Sequence, residues 1–160
     1  MSDSETKESP LEKLDRNWGD ILQELRVTQT GNQILFGFLL ILPFQSTFSE
    51  ISGMERWTYL VVFLLVSLST LFNVAPAAAH RLLSDRQRKT ELIRMSTIWA
   101  KIALALLGLA MAGAVALVVD MVLGSYFGVA TGIVLALVAA GLWALMPLRI
   151  LHKGEPDELD

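Results

Sequence analysis

IALALLGLAMAGAVALVVDMVLGSYFGVATGIVLALVAAGLWALMPL, residues 102–148, is a run of 47 residues in which Asp120 is the one charged side chain. A helix that crosses about 30 Å of hydrocarbon uses about 20 residues. The run is therefore long enough for two crossings and a turn. The turn falls at Asp120 to Tyr126, where an acid, Gly124 and Ser125 come together as a polar, backbone-permissive break in the run. Two helices, at about 98–120 and 126–148, follow as a hairpin.

Working outward, two more uncharged windows appear, Val27 to Ser49 and Trp57 to Ala79, each of 23 residues. The expected fold is an all-α membrane protein, a four-transmembrane-helix bundle with helices at about 27–49, 57–79, 98–120 and 126–148 in a membrane domain spanning 27–153. Composition agrees. The chain has 160 residues, 53% of them hydrophobic and 18% charged, with a mean hydropathy of +0.51. It is too apolar for an ordinary soluble domain and too short for several. The net charge of −3 gives a nucleic-acid partner no electrostatic support. The absence of cysteine removes disulfides, thiol nucleophiles and thiolate metal sites together. Trp57, Tyr59, Trp99, Tyr126 and Trp143 lie near span ends, where amphipathic rings suit the membrane interface.

Charge placement sets an expected orientation. Of 13 lysines and arginines, Arg56 alone falls in the first hairpin loop and none in the second; the others lie in the N-terminal segment, the central loop with its helix start at Lys101, and the C-terminus. The positive-inside rule then puts both termini and the central loop in the cytoplasm. The first 26 residues carry more acid than base and lack the basic start of a cleavable signal, so the first apolar segment is expected to stay as a signal anchor.

Before the first span, Leu11, Leu14, Trp18, Ile21, Leu22 and Leu25 recur at helical spacing opposite Glu12, Asp15, Asp20 and Glu24. Residues 11–26 thus read as an N-terminal amphipathic cytoplasmic helix. It either lies in the membrane interface or packs on protein, its acidic polar face being unusual for a helix bound to anionic lipid. The tails, 1–10 and 154–160, are short and polar and read as disordered.

Polar residues inside the spans are the candidates for function. Gln29, Asn32 and Gln33 share one helical face at the charged end of the first span, and Asn73 sits in the second beside Ser67, Thr70 and Pro76. Buried amides need partners, so these four residues form either an interhelical hydrogen-bond network or the lining of an ion or solute path. Asn73 is placed to satisfy a backbone group freed by Pro76. The ionisable flanks are His80, Lys101 and Asp120; Asp120 lies about 33 Å along the helix from Ile98 and so reaches the outer interface. No charge is forced into mid-membrane, which argues against a self-contained pump. In the fourth span Gly124, Gly128, Gly132, Ala136 and Ala140 recur every four residues, a small-residue ridge that serves packing within the bundle or self-association. No nucleophile, acid and histidine group, carboxylate pair, glycine-rich phosphate loop or metal-ligand set shares a face, so neither enzyme, metal nor cofactor is expected.

The segment QELRVTQTGNQILFGFLLILPF, from Gln23 to Phe44, together with NVAPAAAHR, from Asn73 to Arg81, resembles an uncharacterised actinobacterial membrane family, domain of unknown function 6328. The resemblance covers roughly residues 11 to 125. It implies a bacterial plasma-membrane protein, and some members of that family carry a sodium:proton antiporter label. Taken together, these readings lead to a small non-enzymatic membrane protein, a structural or accessory subunit whose partners are the lipid bilayer and either further copies of itself or another membrane protein. The alternative is an ion or small-solute transporter or channel, antiporter-like.

The topology is testable in this cysteine-free chain. A thiol reagent that does not cross membranes is expected to label Ser52→Cys from outside the cell, and Ser84→Cys after the membrane is opened. The reverse pattern overturns the assigned orientation.

Overall fold

The computed structural model describes residues 10–82 and 89–145. Four helices follow in order: α1, Pro10–Ile41; α2, Gly53–Leu82; α3, Lys89–Leu123; and α4, Ser125–Ala140. Two 3-10 turns, Leu42–Phe44 and Ser46–Ser49, join α1 to α2, and a π-helical turn, Gly141–Leu145, follows α4. No strand occurs among the described residues. Four stretches are long and apolar enough to cross a membrane: Arg16–Phe44, Gly53–Arg81, Glu91–Leu123 and Ser125–Trp143. The chain is an all-α membrane protein, as its apolar windows indicate.

The helix limits differ from the uncharged windows for identifiable reasons. The expected boundary between an amphipathic helix at 11–26 and a span at 27–49 is not seen; α1 runs through it. Thr28 and Thr30 do not interrupt the helix, because each hydroxyl donates to a carbonyl one turn back, those of Glu24 and Arg26. The helix stops at Ile41 instead of 49. Pro43 disfavours helical backbone at the residue before it and brings no N–H of its own. At the next helix, Ser52 and Glu55 cap each other: the Ser52 N–H donates to Glu55 Oε2 at 2.6 Å and the Glu55 N–H to Ser52 Oγ at 3.2 Å. This S-x-x-E capping box starts α2 at Gly53, four residues before the expected Trp57. The expected 98–120 becomes Lys89–Leu123, and the turn contracts to Gly124 alone, whose φ of 93° favours a residue without Cβ. Of the expected 126–148, the described part is Ser125–Ala140 with the π turn Gly141–Leu145 after it, and positions 146–153 of the expected membrane domain lie outside the described residues. The tail positions 1–9 and 154–160 lie outside the described residues.

The chain divides into two compact units, Met1–Leu42 with Leu64–Leu107, and Pro43–Phe63 with Gly108–Asp160. Small residues govern the second. A Cβ on Gly113 would come within 2.6 Å of Val62 Cγ2, and one on Gly108 would strike the Trp143 ring. Trp143, expected at a membrane interface, thus lays its ring on α3. Tyr59, expected there too, is buried, with Phe48 edge-on at 5.0 Å and Phe63 stacked at 6.1 Å.

The small-residue ridge is used unevenly. Gly128 is buried, and a Cβ there would meet Asp120 Cβ at 2.7 Å and the Ala116 carbonyl oxygen at 2.9 Å; at Gly132 it would meet Ala116 Cβ at 3.0 Å. Gly124 instead makes the turn, Ala136 is half-buried and Ala140 is exposed. Gly128→Leu and Gly132→Leu are therefore expected to lower the melting temperature in detergent sharply, while Val129→Leu, at an exposed position, changes it little. Equal effects at all three positions would contradict this packing.

Candidate functional site

The first unit is built on a seven-residue repeat of buried positions. On α1 these are Leu25, Asn32 and Leu39; on α2, Val66, Ser69, Asn73 and Pro76; on α3, Leu92, Ser96, Ala103 and Leu107. Steps of three, four and seven keep one seam of each helix facing inward, as in coiled-coil packing. Four polar residues occupy this apolar seam: Asn32, Ser69 and Ser96, each with 0% of its surface exposed, and Asn73, with 4%.

Ser69 joins three helices. Its hydroxyl donates to the carbonyl oxygen of Ala103 on α3 at 2.7 Å, and its oxygen accepts from Asn32 Nδ2 on α1 at 2.9 Å. Asn73 Nδ2 donates to the backbone carbonyl of Ser69 at 3.2 Å. These bonds fix both amide orientations. The single hydroxyl proton of Ser69 is given to Ala103, so Asn32 must present its NH2 group; the Ser69 carbonyl can only accept, so Asn73 must do the same. Both side-chain oxygens are then left over. Asn32 Oδ1, Asn73 Oδ1 and Ser96 Oγ have no hydrogen-bond partner among the described residues. Each such buried group costs about 1–3 kcal/mol if it stays unpaired.

The four amides named from sequence are thus separated. Asn32 and Asn73 converge on Ser69, while Gln29 is half-buried and Gln33 is exposed. Asn32 falls on the inward seam because it is seven residues from both Leu25 and Leu39; Gln33, one residue on, is turned about 100° away. Asn73 does not serve the carbonyl freed by Pro76, which belongs to Phe72. Its side chain tilts toward the helix N-terminus and reaches Ser69, one turn back. Ser69, the hub, carries no stronger signal in the sequence than Ser67 or Thr70. Its position four residues before Asn73 and seven before Pro76 is the trace it leaves. Ser96 leaves a similar trace, seven residues before Ala103.

The ionisable flanks lie elsewhere. Lys101 is exposed, Asp120 is half-buried in the second unit, and His80 is exposed and stacks on Trp18 at 5.3 Å between ring centroids. In the amphipathic stretch of α1, Trp18 meets His80 of α2, Leu25 is buried and Leu22 is exposed. Among the residues whose side chains are described, no aspartate, glutamate, lysine, arginine or histidine is buried, and no group of three metal-ligating side chains occurs. With amides, hydroxyls and carbonyls alone, this site can hold a hydrogen-bond donor but lacks a group to exchange a proton near neutral pH.

A family of unknown function (DUF6328) matches residues 7–147. The chain belongs to that family. Its match takes in all four helices, and so includes Asn32, Ser69, Asn73 and Ser96. No curated protein and no solved structure matches the chain.

Ser69→Ala leaves the Asn32 amide and the Ala103 carbonyl without their shared partner. It is expected to destabilise the protein by about 1–2 kcal/mol. Thr70→Ala removes only a hydroxyl bonded to Val66 on the same helix and is expected to have a much smaller effect. Denaturation in mixed micelles measures both.

Proposed function

We propose that this chain is a non-enzymatic subunit of the bacterial plasma membrane, with both termini cytoplasmic, that works by assembling with itself or with a membrane partner. The observation that carries the reading is the tie that Ser69 makes between three helices: its oxygen accepts from Asn32 on α1 and its hydroxyl donates to the Ala103 carbonyl on α3. Such a core supports a rigid scaffold. A coupled exchanger would ordinarily place an ionisable group in mid-membrane, and among the described residues the buried polar ones are two asparagines and two serines. The spans of α1 and α4 also leave most of their surface uncovered, which suits helices that meet other proteins.

A second reading, an ion or small-solute path, is favoured by one observation: the three unpartnered oxygens of Asn32, Asn73 and Ser96. Oxygens of this kind accept hydrogen bonds from water or ligate a cation.

Purified protein in liposomes separates the two. The subunit reading expects no sodium- or potassium-dependent proton movement above empty liposomes, together with a native mass in mild detergent larger than one chain. Robust flux lost on Asn32→Ala replaces it with the transport reading.

A further inference from the structure

Gln33 stands alone on the uncovered side of α1. It is exposed and has no hydrogen-bond partner among the described residues. It lies seven residues beyond Arg26, the last charge on α1, or about 10 Å further along the helix. Its side chain is too short to return that far to water, and lipid tails offer a carboxamide neither donor nor acceptor. Its neighbours on the same face are Thr30 and Gly37, with Arg26 and Leu40 completing steps of four and three. The Thr30 hydroxyl is bonded to Arg26 on its own helix, so it adds little bulk and demands no partner. Gly37 has nothing within 4 Å of where its Cβ would stand, so another backbone can come close there.

We propose that Thr30, Gln33, Gly37 and Leu40 form a seam through which α1 pairs with α1 of a second copy of this chain, the two Gln33 carboxamides bonding across it. The inference rests on the assembly reading above and names its surface. A second copy fits because the occupant must carry both donor and acceptor at this depth. A carboxamide has both, so two related by a twofold axis satisfy each other. Copies inserted in the same orientation bring like residue to like residue, Gln33 to Gln33 and Gly37 to Gly37. Asn32, one residue earlier, is held by Ser69 and takes no part.

Single cysteines in this cysteine-free chain test the seam in native membranes. Oxidation is expected to cross-link Thr30→Cys, Gly37→Cys and Leu40→Cys at least about tenfold faster than Val27→Cys and Phe38→Cys, which are exposed but lie roughly 100° further round α1. In detergent, Gln33→Leu is expected to weaken a dimer about tenfold and Gln33→Asn to retain part of the affinity. Gln33 is exposed, so neither change should prevent folding; an unchanged melting temperature under monomeric conditions checks this. Fastest cross-linking at Val27 or Phe38, or a dimer indifferent to Gln33→Leu, overturns the seam and leaves assembly standing. A protein that is monomeric and without partners overturns both.

Discussion

Hydrocarbon offers no hydrogen-bond partner, so a polar group carried into it must be satisfied by the protein itself. That constraint accounts for most of what is seen. It keeps the spans helical, and it turns the hydroxyls of Thr28, Thr30, Thr70 and Thr97 back onto carbonyls one turn earlier in their own helices. It also makes the connection between α3 and α4 as short as a chain can make it. Gly124 returns its N–H to Asp120 at 2.8 Å, and its carbonyl accepts from Phe127 and Gly128, so the reversal leaves little backbone unpaired.

Water does not drive helices together inside a bilayer, and close contact has to do that work. α3 is adapted to it. Ala103, Gly108, Ala110, Ala112, Gly113 and Ala116 give it small surfaces, and in the second unit bulkier groups fit against them: Val62 on Gly113 and Trp143 on Gly108. Gly128 and Gly132 reciprocate from α4. The glycines at 19, 37, 53 and 141 meet nothing within 4 Å and Gly124 serves the turn through its positive φ, so the described glycines serve different ends, and sequence does not label them.

The polar core of the first unit joins stability to function. Ser69 holds α1, α2 and α3 in one register, because a slip along any of them would break a bond made in an apolar setting. The same bonds force two amide oxygens to face away unpaired. A scaffold gains register from such a cluster, and a binding site gains acceptors. The proposed assembly takes the cluster as a scaffold, and the exposed amide of Gln33 extends the same logic from contacts within one chain to the proposed contacts between chains.

The sequence by itself determined the number of spans, the all-α class and the amide and glycine candidates. Those follow from composition over windows of about 20 residues, and hydrocarbon thickness leaves few alternatives. Where helices stop was legible only in part: Pro43 and the Ser52–Glu55 capping box were in plain view, yet a count of uncharged residues passes over both. The tertiary structure decided the rest. Gln29, Asn32 and Gln33 look equivalent in the sequence, and one heptad phase buries Asn32 and leaves Gln33 outside. Ser69 is an ordinary serine until Asn32 and Ala103, 37 and 34 residues away in the chain, are brought to its hydroxyl. A partner that distant is fixed by the packing of whole helices, and no local pattern around residue 69 encodes it.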